Sequence, residues 1–262
     1  MPVREYGSKT ILGYGAQDPT SVVIYEHTRD RKRDAGIGEK IMEIVIPGLH
    51  ATAPQPLSFA PKLGVRSFLL ERDEGNLLVY SSTTIRQEAD YIRQKGGIWR
   101  QYLNHGHEAW VAEAAGAWVA SAFGAPLYAH ENEKEEVSRA YDLDGTFSER
   151  HTLGDDFEVI PIPGHTSGAT AFLWDTGEHR VLFTGDSIVL EDGAWVAALL
   201  ASSDRKDYIK SLELIRGLDF DVIVPWAASL DGAYYGFTDK GDAGQRIDDM
   251  LEKMRVAESS RG

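Results

Sequence analysis

PIPGHTSGATAFLWDTGEHRVLFTGDS, residues 161–187, is the stretch on which the reading of this chain turns. It holds two apolar runs, ATAFLWDT and HRVLFTGD, that read as β-strands joined through a turn at Gly177. His165 stands in a Pro-Gly-His-Thr turn ahead of the first run, and Asp186 follows Thr-Gly at the end of the second. Both are side chains able to ligate a metal, and both are delivered where strand gives way to loop. Upstream, IWRQYLNH runs into NHGHEAW at 104–110. His105 and His107 are two apart, so an extended backbone would send both imidazoles from one face. Three imidazoles and one carboxylate suit a borderline cation such as zinc.

The rest of the chain supplies a setting for that cluster. Its 262 residues are 42% apolar and 26% charged, the composition of a globular protein. A net charge of −14 argues against a nucleic-acid groove, which needs clustered Lys and Arg. The one basic run, Arg29 to Arg33, is interrupted by Asp30 and reads as a solvated loop. There are no cysteines, so disulfides, thiolate ligands and a Cys nucleophile are excluded. The start, MPVREYGSKT, has no apolar core of a leader, and no apolar run approaches the roughly 20 residues that span a bilayer. A cytoplasmic location, no membrane and no nucleic-acid partner are the expectations, with a small-molecule substrate and a possible homo-oligomer.

Strands and helices alternate along the chain. SVVIYEHT (21–28) and KIMEIVIP (40–47) read as strands, while the proline-rich PGLHATAPQPLSFAP should be irregular. VRSFLLER (65–72) and LLVYSS (77–82) flank a DEGN turn as a hairpin. TIRQEADYIRQKGG reads as a helix closed by Gly96 and Gly97, and 108–123 has apolar residues at helical spacing. PLYAHE, DFEVIPIP and DVIVPW are further strands. DRKDYIKSLELIRGL is an amphipathic helix with Tyr208, Ile209, Leu212 and Ile215 on one side, and QRIDDMLEKMRVAES a terminal helix. Sheets with helices laid outside them make a layered α/β protein.

The order and context of the three ligand-bearing strings resemble the metallo-β-lactamase superfamily. Its pattern is HxHxDH after a strand, then a His in a PGHT-like turn, an Asp in a TGD turn, and a last His in a PGH turn. The resemblance implies an αββα sandwich of two mixed β-sheets flanked by helices, a single domain over 1–262, with the metal at one edge between the sheets. It also exposes departures. In HGHEAW the family's Asp falls on Ala109 and its third His on Trp110; the closing PGH turn aligns with VPWAAS, placing Ala227 where the last His would be. No histidine follows His179. Carried across residue by residue, one metal site survives as His105, His107 and His165 with Asp186 available, and the other keeps only Asp186. The chain thus resembles a divergent member with the second site lost, holding one zinc per chain.

With one cation, the implied chemistry is water activation against a small ester, thioester or lactone. Asp186 and Glu108, the carboxylate nearest the missing Asp, are the candidate catalytic groups. Glu108 has a competing role at a helix N-terminus. Trp110 and Trp226 are candidate walls of an apolar substrate pocket, or aromatic filling for the vacated metal space. Thr166 and Ser167 are candidates to orient His165 through hydrogen bonds. His130 reads as a surface residue, and His50 and His27 have no legible partners. Two other readings remain. The set His105, His165 and Asp186 matches the iron ligands of persulfide dioxygenase-like members, which implies a mononuclear non-haem iron oxygenase. A metal-free binding protein that keeps the fold is the third.

Overall fold

Alternate residues of the central strands bury into different clusters, which shows how the layers stack. The computed structural model describes residues 42–113 and 115–259. The strand expected over 21–28, His27 and the basic run Arg29–Arg33 lie outside the described residues. In chain order the first strands are β1 (Glu43–Ile46), β2 (Leu49–Ala51), β3 (Gln55–Leu57), β4 (Ala60–Val65), β5 (Phe68–Leu70), β6 (Leu77–Val79), β7 (Arg100–Tyr102), β8 (Leu127–His130) and β9 (Gly145–Phe147). Then come β10 (His151–Leu153), β11 (Phe157–Pro161), β12 (Thr170–Asp175), β13 (Arg180–Gly185), β14 (Val189–Glu191), β15 (Ala194–Val196), β16 (Val222–Pro225), β17 (Ala227–Ser229) and β18 (Gly236–Phe237). The helices are α1 (Ala89–Gln94), α2 (His107–Val111), α3 (Ala115–Phe123), α4 (Lys134–Val137), α5 (Arg205–Gly217) and α6 (Lys240–Ser259).

One sheet has the order β1-β2-β5-β6-β7-β8-β9 and the other β10-β11-β12-β13-β16-β18. Both are mixed: β6 to β9 run parallel in the first, and β13 pairs parallel with β16 in the second. Phe68, Leu70, Leu77 and Val79 of the first sheet meet Phe172, Trp174, Val181, Phe183, Val222 and Val224 of the second in one buried core. The residues between them point the other way. Leu69 and Leu78 pack under α1 and α3, with Ile92 and Val119. Leu173, Leu182 and Ile223 pack under α5 and α6, with Leu212, Ile215 and Ile247. Strands apolar on both faces belong to buried sheets, and each such side chain contributes about 1.5–3 kcal/mol of burial. The result is the αββα sandwich. Among the described residues, no helix is long and apolar enough to cross a membrane.

Three expectations need correction. The proline-rich segment is not irregular: it forms β2, β3 and β4, and a third ladder, β15-β14-β17-β4-β3, joins the two expected sheets. Pro56 is tolerated because β3 is the edge of that ladder, where no further strand needs its missing N–H. Residues 108–123 are two helices rather than one, because Glu113 adopts a left-handed φ of 48° beyond the end of α2. His105 and His107 do not leave a strand together either. β7 stops at Tyr102, the chain bends, and His107 opens α2.

Candidate metal centre

Each ligand-bearing loop is held by buried polar contacts specific to it. The first follows β7. Its bend wraps the Glu108 carboxylate, which accepts from Asn104 N and Ser81 N, each at 2.7 Å. Asn104 stitches the bend to the second sheet: Thr170 N donates to its carbonyl at 2.9 Å, and its side-chain amide donates to the Thr170 carbonyl. The second loop, around His165, rests on the start of α5. Ser211 Oγ donates to Pro163 O at 2.7 Å, Ser203 Oγ to His165 O at 2.9 Å, and Asp204 N to Gly164 O at 2.9 Å. Gly164 has a φ of +144°, and a Cβ there would collide with the Tyr208 backbone, so only glycine fits. The third loop is the Thr-Gly-Asp turn after β13. Gly185 N donates to Tyr80 Oη at 2.7 Å, and that hydroxyl donates to Val224 O at 2.9 Å. Tyr80 pays for this in backbone strain, with a φ of 66°.

The loops bring the predicted ligands together. The ligating nitrogens of His105, His107 and His165 all lie within 4.8 Å of one another, the one such group among the described residues. Ring centroids are 4.9 Å apart for His105 with His107 and with His165, and 5.3 Å for His107 with His165. Asp186 Oδ2 stands 3.5 Å from His105 Nε2 and 3.8 Å from His165 Nε2. His165 Nδ1 donates to the Ala198 carbonyl at 2.6 Å, which fixes the tautomer and leaves the Nε2 lone pair facing the cluster.

The residues fit a cation. Buried polar atoms are normally paired, yet both ring nitrogens of His105, Nε2 of His165 and Oδ1 of Asp186 have no hydrogen-bond partner. Burial pushes the His105 imidazole well below its usual range, helped by the neighbouring His165 and His107. Burial takes His165 down to about 4 and also lowers His107, against the pull of Glu133 and Glu136. At neutral pH the three rings are therefore uncharged, the state that ligates. Burial drives the Asp186 carboxyl the other way, up to about 7. Positive charge in the cluster would relieve that cost.

Of the ligands that the resemblance assigns to a second metal, the chain keeps Asp186. Ala109 and Ala227 are buried methyl groups at two of the former ligand positions. The two tryptophans do different things, which corrects the expectation that both wall a substrate pocket. Trp226 is interior, 3% exposed, with its ring 5.2 Å from His105 and its Nε1 donating to Ser81 O at 2.9 Å. Trp110 is half exposed at the rim, 5.8 Å from the His107 ring and 6.2 Å from Phe59. With Glu136, Arg139 and Ala140 it lines a cavity of about 280 Å³. Trp226 is buried and Trp110 is not.

Glu108 is likewise corrected as a catalytic group. Burial raises its carboxyl well above the ordinary value, and backbone donors hold both oxygens. Its Oε1 lies 3.7 Å from His105 Nδ1, whereas Asp186 approaches Nε2, so Glu108 stands behind the ring rather than in the cleft. Thr166 and Ser167 do not orient His165; the Ala198 carbonyl does, and Thr166 Oγ1 is itself unpartnered. His130 is buried, not on the surface, and accepts from Asn132 N at 3.2 Å to cap the following turn. His50 has partners after all, Glu71 and the Tyr91 hydroxyl. Tyr80, Asn104 and Glu133 were not singled out from sequence. Glu133 accepts from Gly106 N and Gly168 N, each at 2.7 Å.

A sequence profile of the metallo-beta-lactamase superfamily matches residues 94–227, which span every ligand named above. The chain belongs to this superfamily. Uncharacterized protein YmaE of Bacillus subtilis (strain 168) is 29% identical over 175 residues, 65% of this chain; the match spans 61% of that relative's length. Among solved structures, a metallo-beta-lactamase from Pontibacter korlensis superposes with a TM-score of 0.62 at 16% identity, covering 80% of this chain and 98% of its own. An archaeal metallo-beta-lactamase superfamily protein from Sulfolobus tokodaii does so at 0.56 and 15%, covering 78% and 86%. At such identities these likenesses show the superfamily's fold and nothing finer.

Proposed function

We propose that this superfamily member is a hydrolase that uses one metal ion, zinc in the first instance, against a small ester, thioester or lactone. The observation that carries the reading is the convergence of three neutral imidazoles whose buried ring nitrogens lack any protein partner. His105, His107 and His165 would hold the ion, with Asp186 Oδ2 beside them. A bound ion supplies Lewis acidity, lowering the pKa of water towards about 7 and polarising a carbonyl. The chain's own residues provide the rest. The Ala198 carbonyl fixes the His165 ring from behind. Asp186 Oδ1, which has no partner, is placed to hold a proton beside the site. The restriction to one ion follows from Ala109 and Ala227, which offer no donor. Trp110 and Phe59 offer an aromatic rim for an apolar substituent.

The test is elemental analysis of protein purified without added metal, followed by hydrolysis assays on an aryl ester, a thioester and a lactone with and without zinc. About one zinc per chain and zinc-dependent turnover of one class support the reading. No zinc uptake, or turnover unchanged in His105→Ala, contradicts it. A second reading, an iron-dependent oxygenase, draws on the approach of Asp186 Oδ2 to both His105 and His165. Iron in place of zinc, with oxygen consumption, would favour it. A metal-free binding protein is left if neither ion is taken up.

A further inference from the structure

We infer that Glu133 is a positioning residue that sets the distance between the two histidine-bearing loops of the metal centre. This rests on the proposed metal site. His105 and His107 follow a strand of the first sheet, and His165 precedes a strand of the second; Asn104 ties the base of the first loop to Thr170, beyond the second, and leaves the histidine-bearing stretches themselves to be spaced. Glu133 spans the gap. It belongs to neither sheet, lying in the short helical turn Glu131–Glu133 after β8, and is 3% exposed. Oε2 accepts from Gly106 N, the residue between the two first ligands, at 2.7 Å. Oε1 accepts from Gly168 N, three residues after His165, also at 2.7 Å. Those lengths are typical of charge-assisted bonds, about twice as strong as neutral ones.

Both contact points need glycine. A Cβ at Gly106 would lie 2.8 Å from Glu133 Oε2, and one at Gly168 would lie 2.7 Å from Oε1. The backbone comes close enough to the carboxylate only because no side chain intervenes. The chemistry also demands a carboxylate. Two N–H groups arrive from different loops, and each needs an acceptor. A glutamine offers one oxygen and turns an amide donor towards the other N–H. Groups that orient metal ligands without touching the metal typically govern affinity by about 10–100-fold.

The experiment compares cobalt(II) binding to the full chain and to Glu133→Gln, by chelator competition and by the visible absorption spectrum. Circular dichroism and melting of the metal-free proteins run in parallel. The expected result is a folded variant with cobalt affinity lowered about 10–100-fold and altered visible bands, since the ligand set is rearranged. A purely structural carboxylate would lower the melting temperature and leave affinity and spectrum alone, and that result overturns the inference. Gly168→Ala guards against a variant that does not fold. Its Cβ would meet Glu133 Oε1 at 2.7 Å and Cγ at 2.8 Å and push the carboxylate off the second loop while keeping the charge. It should weaken cobalt binding in the same direction, and parent-like binding by folded Gly168→Ala also refutes the role. If the parent itself binds no cobalt, the metal reading fails and takes this inference with it. Tight binding by parent and variants alike defeats the inference alone.

Discussion

Trp226→Phe separates an interior plug from a substrate wall. In the folded protein the Trp226 indole is 3% exposed, stacks edge-on 5.2 Å from His105, and donates to the Ser81 carbonyl at 2.9 Å. Phenylalanine removes the N–H and leaves that buried carbonyl without this donor, a loss of about 1–3 kcal/mol. It also leaves part of the larger ring's volume empty, worth about 1–2 kcal/mol more if the site collapses poorly. The expected loss is therefore about 3 kcal/mol, a fall in melting temperature of roughly 6–12 °C. Thermal unfolding of the metal-free protein reads it, with Trp110→Phe alongside. Trp110 is half exposed, so that change should stay within about 0.5 kcal/mol. The reasoning is refuted if the two variants melt together, or if Trp110→Phe is the more damaging.

Three further outcomes are expected. Zinc affinity should rise by about one log unit per pH unit between pH 5 and 7, because a proton must leave Asp186, whose carboxyl burial raises to about 7. The slope should flatten above pH 7 and steepen towards pH 4, where His165 takes up a proton; isothermal titration at several pH values checks this, and a flat response from pH 5 to 7 would remove Asp186 from the ligand set. Glu108→Gln should destabilise the metal-free protein by about 1–3 kcal/mol, since an amide cannot accept at both positions where Ser81 N and Asn104 N donate; urea unfolding measures it. Arg72→Ala should cost about 2–4 kcal/mol at pH 7, through lost bonds from the buried guanidinium to Asp156 and the Leu153 carbonyl. Burial alone would raise the Asp156 carboxyl, but bonding to Arg72 outweighs it and holds it low. That stabilisation is present above the ordinary carboxylate pKa and is lost as pH falls through the lowered one, so parent and variant should converge in acid. An equal gap at pH 7 and pH 3 would contradict this.

The candidate ligands were legible in the sequence because each lies in a loop next to a strand, and strands of Val, Leu and Phe bounded by Gly announce themselves. The manner in which the ligands converge was not. His105 and His107 meet His165 through a bend, and bends are set by contacts such as Glu108 with Ser81, 27 residues away. β3 was hidden by Pro54 and Pro56, since sequence does not reveal which strand lies at an edge. Trp110 and Trp226 looked alike because exposure is decided by tertiary packing, not by residue type. Glu133 was masked by its neighbours. It lies in an acidic run of the kind that usually faces solvent, and its two partners are glycine N–H groups, which every sequence contains.

The most direct measurement is anomalous diffraction at the zinc absorption edge from crystals grown with zinc. The account predicts one peak per chain, within bonding distance of His105, His107 and His165 and adjacent to Asp186. A peak elsewhere, an additional peak beside Ala109 and Ala227, or no peak with the three imidazoles turned apart would contradict it.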